Sequence, residues 1–372
     1  VKLNRGRTGA LALAGVVALS LTACGSDNPT GSTETSGGSD AGSASSLSGE
    51  LAGSGASSQE SAMEAWRAGF QNANPDVTVS YDPVGSGGGR TAFLDASVTF
   101  AGTDSALTEE ELAQAQDRCF GSSAVDLPVY ISPIAVVFNL EGVTELNLSA
   151  ETIANIFNGT ITNWNDPAIA EANPDATLPD LAITTVHRSD ESGTTKNFTD
   201  YLAKAGNGAW TAEASGDWSL PGGESGQGTS GLIQTVQGGQ GTIGYADASK
   251  AGSLGKVSIQ VGDEFVAPSE EGAAAALDVS PRDDSREEGD IVIDIDRTTT
   301  EAGAYPLILA SYLVVCQSYD SQDDVDLVKA FATYVASAEG QAASESAAGS
   351  APISDTLRTD VQASIDAITL AS

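Results

Sequence analysis

Apolar and polar positions along this chain change period several times, and each change marks an element. Met63, Trp66 and Phe70 recur at three- and four-residue spacing, which stripes one face of a helix. Ahead of them, residues 47–52 read as a short strand running into a tight glycine turn at Gly53-Ser54-Gly55, and Ser57 with Glu60 has capping-box spacing. Val77, Val79 and Tyr81 alternate as a strand does, and a glycine run at 85–89 leads into a second helical stretch. A strand at 98–100 ends at Gly102-Thr103-Asp104, after which Thr108 and Glu111 cap another helix. Residues 128–140 are apolar enough for a central strand that crosses between domains. Further strands are expected at 181–186, 241–245 and 305–316, and helices at 195–202, 231–236, 325–336 and 354–368. The charged stretch 279–290 reads as a loop. Strands alternating with helices predict α/β layers around a mainly parallel sheet, and no internal repeat is visible.

The first residues follow a different pattern. Lys2, Arg5 and Arg7 precede a small apolar run at 10–21, and Leu21-Thr22-Ala23-Cys24 closes it. A charged start, a short apolar stretch and small residues before a cleavage point are the marks of a signal peptide, here 1–23, too short to span a bilayer. A cysteine directly after that point resembles the lipobox of bacterial lipoproteins, which implies a lipid anchor (palmitate) at Cys24; an ordinary secretory peptide that happens to end at a cysteine is the alternative. Residues 24–46 are almost all Gly, Ser, Thr, Asp and Ala, a composition expected to form a disordered tether spanning on the order of 25–30 Å. The remaining 47–372 is long for one domain and comfortable as two.

Charge narrows the partners. The chain carries 16 basic and 51 acidic residues, a net charge of −35. Such a surface repels nucleic acid and anionic lipid. It also repels small anions at long range, so an anionic ligand must be held by a short-range, desolvated site. Apart from Cys24, the cysteines are Cys119 and Cys316. In an exported chain such a pair invites a disulfide, with two buried thiols as the alternative.

Three polar loops share one design: each follows a strand and offers glycine and hydroxyl residues where a helix begins. They lie at 56–58, 85–89 and 188–195. A helix N-terminus presents unpaired N–H groups and the positive end of its dipole, hydroxyls add donors, and glycine admits close approach. In an open α/β sheet such loops converge at the carboxyl ends of the strands. Together they describe a dehydrated site for a tetrahedral anion. Taken singly, Ser57 could be a plain N-cap, the glycine run a plain turn and 188–195 a plain capped helix. The glycine run is neither a P-loop nor the dinucleotide fingerprint, because the required Lys-Ser/Thr and the second spacing are missing.

Read together, these segments resemble the periplasmic phosphate-binding proteins of bacterial phosphate ABC importers. The resemblance covers nearly the whole body and includes Gly53-Ser54-Gly55-Ala56, Ile156-Phe157-Asn158-Gly159, Asn163-Trp164-Asn165-Asp166-Pro167 and Gly241-Thr242-Ile243-Gly244-Tyr245. Its most specific piece is Arg-x-Asp-x-Ser-Gly-Thr, intact from Arg188 to Thr194. The resemblance implies a type II binding-protein fold with two α/β lobes, each a mixed sheet flanked by helices. Lobe I would be 47–133 with 306–372, lobe II 134–305, and the ligand would sit between them. It also implies hydroxyl donors at Ser57, Ser86, Ser192 and Thr194, backbone donors at Ser58, Gly193 and Thr194, and the charge of Arg188 positioned by Asp190. Asp104 would be the buried acceptor. Phosphate near neutral pH carries a proton that a carboxylate can accept, and sulfate does not. Two departures stand out: Ser57-Ser58 replaces the family's common Thr-Phe, and Gly87 replaces a serine often found after Ser86.

The implied function is capture of inorganic phosphate and delivery to an ABC permease by a monomeric binding protein with no cofactor and no metal. A receptor for sulfate, molybdate or an organophosphate is the alternative within the same class. A secreted phosphatase would need clustered metal ligands or an activated nucleophile, yet the chain has one histidine, His187, and no G-x-S-x-G elbow. A surface protein acting in adhesion or sensing would leave the three anion loops without purpose.

Overall fold

The computed structural model describes residues 47–372; the signal peptide, Cys24 and tether expected at 1–46 lie outside them. The first half of the described chain runs β1 (Gly49–Gly55), α1 (Glu60–Ala73), β2 (Val77–Asp82), α2 (Ser86–Leu94), β3 (Phe100–Thr103), α3 (Glu109–Arg118) and the long β4 (Ala124–Asn139). Next come β5 (Glu145–Leu148), α4 (Ala150–Phe157), α5 (Pro167–Ala170), β6 (Thr184–Arg188), α6 (Gly193–Ala205), β7 (Glu224–Gly226), α7 (Gly228–Gly238), β8 (Thr242–Asp247), β9 (Gly255–Val261), β10 (Glu264–Val266) and α8 (Glu270–Asp278). The chain closes with β11 (Ile308–Cys316), β12 (Ser318–Tyr319), α9 (Gln322–Ala336), α10 (Ala338–Ala348), α11 (Asp355–Asp366) and β13 (Thr369–Leu370).

The strands form one large sheet in the order β2-β1-β3-β11-β4-β8-β6-β7, with β9 also on β4 and β5 and β10 on β9. It is mixed, not mainly parallel: β1 runs parallel to β2 and β3, and β6 to β7 and β8, but β11 and β4 are antiparallel to each other and to their other neighbours in that order. An apolar run buried on both faces carries no record of its direction, so periodicity could not settle this.

β4 is the spine. Residues 124–133 pair with β11, and from Ile134 onward the strand pairs with β8. Pro133 sits where the partner changes, and Pro128 lies beside the register shift between Ser311 and Tyr312. Prolines cannot donate to a ladder and are tolerated at such irregularities. The result is two packed α/β lobes joined through one continuous strand.

The expected capping box at Ser57 and Glu60 does not form. The N-cap of α1 is Gln59, without a side-chain cap. Glu60 instead meets Lys250 at 2.9 Å, and Ser57 turns to Thr229. Tertiary partners outbid the local rule. The box at Thr108 and Glu111 does form. Gly53 and Gly55 are strand residues, not a turn. A Cβ on Gly53 would lie 2.1 Å from the Phe100 ring, and one on Gly55 (φ +147°) 1.9 Å from the Gly102 carbonyl oxygen. These glycines let β1 and its neighbours approach closely.

Residues 281–297 form an irregular strap, with a single bridge between Arg282 and Ile293. Its first part is pinned to β4 and α11: Ile291 N–H donates to the Asp126 carbonyl at 3.0 Å, and Arg282 pairs with Asp360. Its end reaches α6, where Arg297 meets Asp200 at 3.1 Å. Cys119 and Cys316 are joined by a disulfide with a Cα separation of 5.2 Å, tying the end of α3 to the end of β11.

Candidate functional site

The three loops meet. Ser57 and Ser58 follow β1, Ser86 opens α2, Asp104 follows β3, and the 188–194 segment links β6 to α6. Ser57, Ser58, Ser86, Asp104, Arg188, Ser192 and Thr194 are all buried. Gly193 packs so tightly that a Cβ there would stand 2.6 Å from the Asp104 side chain and 2.7 Å from Ser86 Oγ. That position requires glycine for space rather than for backbone angle.

Asp104 is the hub. Its Oδ1 accepts hydroxyl donors from Ser58 (2.6 Å) and Ser311 (2.7 Å), and its Oδ2 accepts one from Thr194 (2.8 Å). Its backbone N–H donates to Ser86 Oγ at 3.1 Å, and its carbonyl accepts from Asn197 Nδ2 at 2.6 Å. Asn197 also bonds the Gly193 carbonyl at 2.9 Å, which locks the first turn of α6 against β3. Ser192 is the N-cap of α6, its Oγ accepting from Thr195 N–H at 3.2 Å. Gly193 and Thr194 then occupy first-turn positions whose N–H groups have no intrahelical acceptor.

Arg188 supplies positive charge. Its Nε donates to Asp190 Oδ1 at 2.9 Å and its Nη2 to Asp190 Oδ2, a bidentate fork. Asp190 Oδ1 also accepts from Gly228 N–H at 2.9 Å, at the start of α7. Gly85 (φ +99°) faces this pair, and a Cβ there would lie 2.5 Å from Asp190. His187 stacks on Trp218 with ring centroids 5.0 Å apart, and its Nδ1 is 2.9 Å from the Arg188 carbonyl oxygen, a framework role beneath the loop. Tyr245 adds its hydroxyl 3.4 Å from Arg188 N; burial pushes that phenol up to about 12.

A sequence model of the PBP superfamily domain matches residues 32–339. Phosphate-binding protein PstS 3 of Mycobacterium tuberculosis is 36% identical over 377 residues, covering 99% of this chain and all of the relative. PstS 2 of the same species is 36% identical over 330 residues, covering 86% of this chain and 87% of the relative. The chain belongs to the PstS family of phosphate-binding proteins. Solved structures agree on the fold. A high-affinity periplasmic phosphate-binding protein bound with phosphate superposes with a TM-score of 0.68 at 22% identity, over 85% of this chain and 93% of that one. A phosphate-binding protein from Stenotrophomonas maltophilia gives 0.65 at 21%, over 85% and 93%.

Within this PstS-family frame, sequence reading missed four residues. Ser311 is the second donor on Asp104; a serine inside the otherwise apolar 308–316 was a visible signal. Thr229 follows Gly228 at a helix start, the same glycine-hydroxyl design as the other loops, and its N–H donates to Ser57 Oγ at 3.0 Å. Gln59 and Asn197 gave no signal, because their roles exist only through contacts made in the fold. Ser58, expected to contribute its N–H, also commits its hydroxyl to Asp104.

Proposed function

We propose that this chain captures inorganic phosphate on the outer side of the cytoplasmic membrane and delivers it to an ABC permease. The observation that carries the reading is the Asp104 carboxylate, buried among hydroxyl donors and brought together with the α6 N-terminus. Ser57, Ser86, Ser192 and Thr194 would turn their hydroxyl protons to the anion, joined by the N–H groups of Ser58, Gly193 and Thr194. Arg188, held by Asp190, would supply charge. One ligand O–H would donate to Asp104 Oδ2. An anion with no proton would face that carboxylate uncompensated, at a cost of about 3–5 kcal/mol. The change of β4's partner between Pro133 and Ile134 supports lobe boundaries of 47–133 with 306–372 and 134–305. The strap at 281–293 belongs to the second segment and packs against β4 and α11 of the first. Residues 1–23 would be removed as a signal peptide, Cys24 would carry the lipid anchor, and the protein would act as a monomer.

The test is calorimetric titration of phosphate-stripped protein with phosphate and then sulfate. One-to-one phosphate binding with sulfate silent is expected. Comparable binding of both anions would keep an oxyanion receptor and remove the role given to Asp104. Absence of heat with either would discard the phosphate reading. Mass spectrometry of membrane-extracted protein tests the anchor, which requires a diacylglyceryl adduct on Cys24.

A further inference from the structure

We propose that Ser58 and Ser311 are the residues that set this site's anion specificity, by saturating Oδ1 of Asp104 with donors and so keeping the carboxylate an acceptor at Oδ2. The inference rests on the phosphate reading and adds the groups that enforce its selectivity.

The direction of each proton follows from its partners. Gln59 Nε2 lies 3.1 Å from the Tyr312 carbonyl oxygen, which can only accept, so the amide nitrogen must face that way. The same nitrogen lies 2.6 Å from Ser311 Oγ, which therefore accepts from Gln59 and must send its own proton elsewhere. Two acceptors are in reach: Asp104 Oδ1 at 2.7 Å and the Thr103 carbonyl at 3.2 Å. The shorter, charge-assisted bond wins. Ser58 adds a second hydroxyl to Oδ1 at 2.6 Å. Ionised Asp104 accepts both hydroxyls at Oδ1 in charge-assisted bonds, and any proton it took would be confined to Oδ2, where a ligand O–H would otherwise donate.

No cation does this work. Among the described residues no lysine, arginine or histidine lies within 4.0 Å of the Asp104 carboxylate in an ion pair, since Arg188 is committed to Asp190 and Arg90 is held by Glu111 and Glu191. Arg90 reaches only the hydroxyls of Thr103 and Ser105 on either side. Tyr81 from β2 and Tyr130 from β4 feel the Asp104 charge, and burial pushes both phenols well up, so they stay neutral. The relay also persists against a penalty: Gln59 Oε1 is buried without a partner.

The test uses the full chain and the variants Ser58→Ala, Ser311→Ala and the double. Each is titrated with phosphate and sulfate at about pH 5.5 and about pH 8, in buffers of different ionisation enthalpy, so that protons taken up on binding are counted. Melting curves establish that each variant is folded. In the double variant, sulfate binding is expected to become measurable at the lower pH with uptake of one proton. The phosphate-to-sulfate preference there should fall about tenfold to a hundredfold. Gln59→Met, which frees Ser311 from its incoming donor, should move in the same direction by less. Sulfate still silent in the double variant, an unchanged proton count, or loss of phosphate without gain of sulfate would each overturn the proposal. Wild-type protein silent toward phosphate would instead overturn the functional reading beneath it.

Discussion

Asp104, just past β3, and Asp126, on β4, are both buried aspartates beside the strands that flank β11, yet their surroundings treat them in opposite ways. Asp104 receives three hydroxyl protons and faces no second carboxylate in hydrogen-bond contact. Among the described residues the Asp126 carboxyl accepts a hydrogen bond from the Leu107 N–H alone, at 3.3 Å to Oδ1 and 3.1 Å to Oδ2, while its own N–H binds the carboxylate of Asp290 at 2.8 Å. Burial first, and Asp290 second, push the Asp126 carboxyl well up, with Arg286 as a partial counterweight. β11 lies between them: Ser311 serves Asp104, and the next residue, Tyr312, accepts the Ile293 N–H of the strap. The carboxylate proposed to accept from the ligand is given donors. Asp126 holds the strap through its backbone carbonyl and N–H, and burial favours the neutral form of its carboxyl.

The largest expected effect breaks the ligand side. Arg188→Ala removes the guanidinium and leaves Asp190, 14% exposed at its side chain, unpaired beside the anion loops. Breaking such a pair costs about 3–5 kcal/mol, so phosphate affinity should fall roughly a hundredfold to several thousandfold by calorimetry. Arg188→Ala with Asp190→Ala should be milder than the single change, because no orphaned carboxylate remains. A double variant worse than the single would show that Asp190 serves the ligand in some way other than holding Arg188.

Next comes a change that should spare the ligand. Replacing Cys119 and Cys316 by serine opens a crosslink between residues 197 apart in sequence. The expected loss is about 2–5 kcal/mol in denaturant unfolding, with phosphate affinity within about threefold of wild type. A matching loss of affinity would mean that β11 transmits strain from Cys316 to Ser311.

What was legible in the sequence divides along the same line. The 188–194 loop and the glycine run are local designs, glycine and hydroxyl at a helix start, whereas Asp104 was expected only from the family resemblance. The long apolar strand was legible from its local pattern. Ser311 meets Asp104 across 207 residues and Thr229 meets Ser57 across 172, and no local pattern encodes such partners. The capping box at Ser57 and Glu60 misled because both side chains found distant partners that only the fold supplies. The charged stretch at 279–290 is irregular, as its composition implies. That the strap is pinned to β4 was hidden, because Asp126 sits within an apolar strand and Asp290, its partner in the strap, lies 164 residues away.

A smaller effect tests the titrating side. Asp126 is held above the ordinary carboxylate range, so the stability it contributes is fully present at pH values below about 4 and is lost as pH rises through its elevated folded value. Asp126→Asn keeps an acceptor for the Leu107 N–H and cannot charge. Relative to wild type, the variant should therefore gain stability between about pH 5 and about pH 8, by about 1–3 kcal/mol, while phosphate binding is unchanged. A gain in the reverse direction would mean that the attraction of Arg286, 4.0 Å from Asp126, outweighs burial.

The smallest effect probes where the two sides of the cleft touch without ligand contact. Glu191 lies in the anion loop but turns away from it, meeting Arg90 of α2 at 3.1 Å, and Arg90 is also held by Glu111 at 2.8 Å. Glu191 is 29% exposed at its side chain, so the pair is screened, and its worth lies within the range of about 0–1 kcal/mol for such contacts. Glu191→Gln keeps an acceptor for Arg90 and removes the charge. Phosphate affinity should weaken about fivefold at most, through faster release, and the wild-type excess should shrink as salt is raised. A loss larger than tenfold, or one insensitive to salt, would place Glu191 with Arg188 and Asp104 as part of the anion site instead of at its edge.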